Sequence, residues 1–116
     1  MVSDPDRLSR RVRGLVSSTT HELFLSAVSA WEIAIKHGLG KLELPSPPSE
    51  FVPTQMRETG VLPLAIRHGH ALRVSELPAH HRDPFDRLLI GQALEEDLSI
   101  VSADPVFGRY QVKRVW

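Results

Sequence analysis

The chain has 116 residues, 41% hydrophobic and 24% charged, which suits one ordinary globular domain with a single core. Lys+Arg and Asp+Glu number 14 each, so no global field draws it to nucleic acid, and any RNA-binding surface must be local. The absence of cysteine excludes disulfides and thiolate metal sites and fits a reducing cytoplasm. No apolar run nears the roughly 18 residues of a membrane span, and the opening MVSDPDRLSRR lacks the apolar region of a signal peptide.

In chain order, Ser3 is placed to cap a first helix with Pro5 in its opening turn, and Leu8, Val12, Leu15 and Val16 fall on one face. Residues 22–27 (ELFLSA) are an apolar run of strand length. Val28, Trp31, Ile35 and Leu39 then repeat at helical spacing, closed by Gly38 or Gly40. After the linker-like LPSPP at 44–48, residues 51–59 read as a helix weakened by Pro53. Residues 61–64 are a short strand and 66–77 a helix. The spacing predicts a helix over 84–96 with Leu88, Leu89 and Ala93 inward. Residues 98–102 form a strand, 104–110 a helical turn and 112–116 a last strand. Helices alternating with apolar, non-alternating strands predict an α/β domain with a mainly parallel central sheet flanked by helices.

In such sheets, sites form beyond the carboxyl ends of the strands. Asp104 follows the strand LSIVS, and Glu32 lies in the helix after ELFLS. Asp83 and Asp86 open the helix that leads into LSIVS from the opposite side. Three or four carboxylates converging on one point repel each other unless a cation neutralises them. Oxygen-only clusters of this kind suit Mg²⁺ or Mn²⁺. A metal so held positions a water for attack on phosphate, so the pattern allows a metal-dependent phosphodiesterase.

Each acid also has a plain structural reading. Asp83-Pro84 and Asp104-Pro105 are both a helix cap followed by proline at the first helical position. Asp86 takes the third position, where an acid complements the helix dipole. Ser29 and Glu32 fit a capping box, and Glu32 with Lys36 makes a favourable i,i+4 pair. The two readings are compatible, since a helix start stabilises the negative charge that a metal ligand carries.

His80 and His81 adjoin Asp83, but neighbours in a loop point apart, and His81 is expected to order the loop. His68 and His70 are two apart and face different ways, so they make no zinc pair. No G-x-S-x-G elbow occurs, and GLGK at 38–41 lacks P-loop spacing. Arg7, Arg10 and Arg11 share a face of the first helix, with Arg13 off it, as on any solvated face. Lys36, Lys41, Arg82, Arg87 and Arg109 lie closer to the acids, where they can bracket a phosphate backbone, Lys36, Arg82 and Arg87 foremost.

Three segments in order, SAVSAWEIAIKHGLGKLELP, LPAHHRDPFDRLLIGQAL and SIVSADPVFGRYQVKRVW, resemble PIN-domain ribonuclease toxins of the VapC type, HRDPFDRLL being the specific stretch. The resemblance implies a single PIN-like three-layer domain over residues 1–116. It implies Glu32, Asp86 and Asp104 as catalytic metal ligands and Asp83 as an accessory, ranked below Asp86 because Leu89-Ile90 follows Asp86 as in the family. Ser102 matches a hydroxyl that supports the last acid. The implied activity is Mg²⁺- or Mn²⁺-dependent RNA cleavage in the cytoplasm by a homodimeric toxin, silenced by a VapB-like antitoxin. The family's opening strand, of the type LLLDTHVLLW with the first catalytic aspartate, does not appear in this sequence. Asp4 and Asp6 do not replace it, standing at the start of a surface helix. The expectation is that Met1 is an internal residue of a longer protein. The competing reading is a decayed, inactive toxin that still binds antitoxin.

Overall fold

The computed structural model describes residues 22–78, 83–101 and 114–115. Strand β1 (Phe24–Ser26) runs directly into helix α1 (Ala27–Gly38). Ser26 makes the switch: its backbone is extended, and its hydroxyl accepts from the Val28 N–H at 3.1 Å, satisfying a donor at the helix start. The cap is therefore Ser26, and the capping box expected between Ser29 and Glu32 does not form. Ser29 is already inside the helix and buried.

Gly40, in the left-handed region at φ 72°, closes α1. Its N–H donates to the His37 carbonyl at 3.1 Å, and the Lys41 N–H donates to that of Lys36 at 2.9 Å. This paired closure needs a positive φ, which glycine adopts without strain. The apolar stripe of α1 is only partly inward. Val28 is fully buried, but Trp31 and Leu39 are 57% and 65% exposed, against expectation. The core meets only the first turn of α1, and no residue after Ser29 in that helix is buried.

Helix α2 (Pro48–Thr59) begins three residues earlier than expected because Pro48 takes the first helical position, where its missing N–H does no harm. It continues through Pro53, and none of its residues is buried. Strand β2 (Leu62–Leu64) pairs with β1 in parallel, Phe24 opposite Leu62 and Ser26 opposite Leu64. The Leu62 N–H donates to the Leu23 carbonyl at 2.8 Å. Alternate residues of a strand turn their backbone groups to opposite edges, so Pro63, which has no N–H, faces away from β1.

The single helix expected over 66–77 is instead α3 (His68–Arg73) followed by a 3₁₀ turn (Val74–Glu76). Arg67 is extended, and its N–H donates to His70 Nδ1 at 3.0 Å, which fixes the later start. Helix α4 (Pro84–Glu96) has the expected bounds. Leu89, Ile90, Gly91, Gln92 and Ala93 are all buried, so α4 is enclosed rather than amphipathic; Leu88 is half-buried. Strand β3 (Ile100–Val101) pairs in parallel with β4 (Arg114–Val115). Both described pairings are thus parallel, and the fold is α/β as expected.

Val28, Leu89, Ile90, Ala93 and Ile100 form the core, with Leu64, Leu77, Phe85, Leu88 and Leu94 packed against it. Polar groups lock α3 onto α4. Buried His70 uses Nδ1 as an acceptor, leaving Nε2 to donate to Glu96 Oε1 at 2.7 Å. Gln92 Nε2 donates to the Ala65 carbonyl at 3.1 Å, and Arg73 pairs with Glu95 at 3.0 Å. The first helix with its arginines, Asp4, Asp6, the loop histidines His80 and His81, and the turn at 104–110 with Arg109 lie outside the described residues.

Candidate functional site

The expected site residues that fall among the described ones lie on α1 and α4. Helix α1 leaves the carboxyl end of β1 with no intervening loop. Residues 97–99 join α4 to β3, with Asp97 in the left-handed region at φ 53° and the Leu98 N–H donating to the Ala93 carbonyl at 2.8 Å. So short a connection sends α4 back along the strand, which puts its first turn toward the carboxyl end of β3. The two helices meet through Trp31 and Phe85, whose ring centroids are 4.9 Å apart with planes at 76°, an edge-to-face contact. Each ring immediately precedes an expected acid, Glu32 on α1 and Asp86 on α4.

Glu32 is half-buried, and its Oε1 lies 3.1 Å from Lys36 Nζ, the expected i,i+4 pair. The side chains are 29% and 54% exposed, a setting in which such a pair contributes about 0.3–0.5 kcal/mol. That is too little to withhold Glu32 from a stronger cation. Asp83 is the cap of α4: its Oδ1 accepts from the N–H groups of Phe85 at 2.9 Å and Asp86 at 3.3 Å. Asp86 stands at the third helical position, half-buried, with its backbone held by that cap.

Arg87 is half-buried and donates to the carbonyls of Pro78 at 3.0 Å and Val74 at 3.1 Å. Its guanidinium thereby ties the first turn of α4 to the chain that leaves α3. Asp104, Ser102 and Arg82 lie outside the described residues. Among the described residues, no three His, Cys, Asp or Glu side chains come together as a metal-binding group. The expected acids among the described residues, Glu32 within α1 and Asp83 and Asp86 at the start of α4, are carboxylates alone, and buried His70 is engaged with Glu96. Their chemistry fits a hard divalent ion, with Asp104 as the expected complement.

Sequence reasoning did not find the Trp31–Phe85 contact, because helical spacing assigned Trp31 to the core. An aromatic between Asp83 and Asp86 was the one signal pointing to it. His70 and Gln92 were also missed as buried polar anchors. The orientation reading of the histidines does hold, since His68 is exposed and His70 buried.

The PIN domain family matches this chain over residues 1–113, a span that takes in every described element except β4. The chain belongs to the PIN domain family. Ribonuclease VapC16 of Mycobacterium tuberculosis is 47% identical to it over 58 residues, which cover 50% of this chain and 41% of that relative. The chain therefore matches about two fifths of the length of that VapC relative. No helix among the described residues of this PIN chain is long and apolar enough to cross a membrane.

Proposed function

We propose that this chain is the metal-dependent endoribonuclease toxin of a type II toxin–antitoxin pair, built as a single PIN domain over residues 1–116. The observation that carries the reading is the meeting of α1 and α4 at Trp31 and Phe85, each ring next in sequence to an acid, in a PIN chain. Kinship with a VapC ribonuclease supports the activity.

Glu32, Asp86 and Asp104 would hold the ion, Mg²⁺ or Mn²⁺, with Asp83 as an accessory and Ser102 supporting Asp104. When bound, the ion supplies neutralising charge for the clustered carboxylates, a polarised water, and stabilisation of charge developing on the phosphate. Asp83 caps α4 and so fixes the backbone from which Asp86 projects. Glu32 exchanges its weak bond to Lys36, which then pairs with the RNA backbone. Arg82 and Arg87 flank the same strand, where contacts of this kind fix position without reading sequence. The partners are an RNA substrate, a VapB-like antitoxin and a second copy of the chain, and the place of action is the cytoplasm.

The test is cleavage of single-stranded RNA by the natural full-length protein with Mn²⁺ and with chelator. Cleavage is expected only with the ion. Asp86→Asn and Asp104→Asn should each lower it by ~10²-fold or more at unchanged melting temperature. Persistence of activity in either variant, or in chelator, would remove the assignment.

A further inference from the structure

We propose that Trp31 and Phe85 form an aromatic strut that sets the spacing between Glu32 and Asp86, making both positioning residues for the metal site. The inference rests on the reading of those two acids as ligands.

Trp31 is 57% exposed, so burial alone does not explain where its ring sits. Phe85 is anchored twice: its side chain packs on the core, and its N–H donates to Asp83 Oδ1 at 2.9 Å. Helix α1 is pinned to the same core at Val28, three residues before Trp31. That first turn, where Ser29 is buried as well, is the firmly held part of α1, and no later residue of the helix is buried. The edge-to-face contact of Trp31 with Phe85, at 4.9 Å between centroids, supplies the second point. Glu32 and Asp86 are the next residues along each helix, and a hydrogen-bonded helix is stiff over one residue, so movement of either ring is passed to its acid. Clustered carboxylates repel, and a strut between their helices resists that separation.

The experiment is calorimetric titration of Mn²⁺ into the natural full-length protein and into Trp31→Ala, Phe85→Ala, the double variant and Trp31→Phe. Each alanine variant should bind Mn²⁺ about 10–100-fold more weakly, the range seen when a group that orients a ligand is lost. The double variant should lose no more than the worse single variant, because the two rings act as one unit. Trp31→Phe should recover most of the affinity.

A lowered melting temperature with unchanged Mn²⁺ affinity would reduce the pair to ordinary packing and overturn the proposal, as would losses that simply add. If Phe85→Ala does not fold, the exposed Trp31 still decides through the contrast between its alanine and phenylalanine variants. Glu32→Gln and Asp86→Asn separate the two readings. Unchanged affinity in those variants removes the metal site and the strut with it. Lost affinity there, with Trp31→Ala unaffected, overturns the strut alone.

Discussion

Asp83 holds the start of α4 through its side chain. Its Oδ1 accepts two backbone N–H groups at the start of α4. Replacing it by alanine should destabilise the protein by about 1 kcal/mol, read as a lower urea midpoint. Asparagine caps about as well as aspartate, so Asp83→Asn should hold the midpoint to within about 0.5 kcal/mol. If Asp83 is also a ligand, that variant will bind Mn²⁺ more weakly at nearly unchanged stability; unchanged Mn²⁺ affinity would leave Asp83 as a cap alone. Residue-scale features of this kind were legible wherever the signal was local. Asp83-Pro84 and the Glu32–Lys36 pair are both present as read. Ser29 was misread because two serines stand near the junction. Which one caps depends on where β1 ends, and pairing with β2, 38 residues later in sequence, decides that.

At the scale of elements, the crossing of α3 and α4 turns on Gly91. A Cβ there would sit 3.0 Å from the His70 carbonyl oxygen, 3.5 Å from Val74 Cγ2 and 3.6 Å from Arg73 Cβ. Alanine would favour the helix by about 1 kcal/mol on propensity alone. The carbonyl is not free to yield, because His70 is held on both ring nitrogens by Arg67 and Glu96. Gly91→Ala should therefore be a net loss of about 1–3 kcal/mol, measured as a fall in melting temperature. A rise would mean that α3 shifts without losing those bonds. The bounds of α4 were readable from its cap and proline. Its enclosure was not, since Gly91 and Gln92 look like surface residues until α3 is laid across them.

For the molecule as a whole, apolar strands without alternation were enough to read a parallel α/β fold. Helical spacing marks a face but not how far a core reaches along it, which is why Trp31 and Leu39 were placed inside and stand exposed. The acids of the proposed site were named from their places in the sequence; the aromatic contact between α1 and α4 was not, because it joins residues 54 apart in sequence. The outward turn of Pro63 on β2 bears on how copies of the protein behave when concentrated. Among the described residues, no strand pairs with that edge, and Leu62 beside it is exposed. A neighbour adding itself there would find no donor at Pro63, so sheet growth from molecule to molecule loses a hydrogen bond at its centre. Pro63→Val would restore the donor and add a β-branched residue. Light scattering of concentrated samples should then rise faster than for the natural protein, and equal scattering would mean this proline is not what keeps the chains apart.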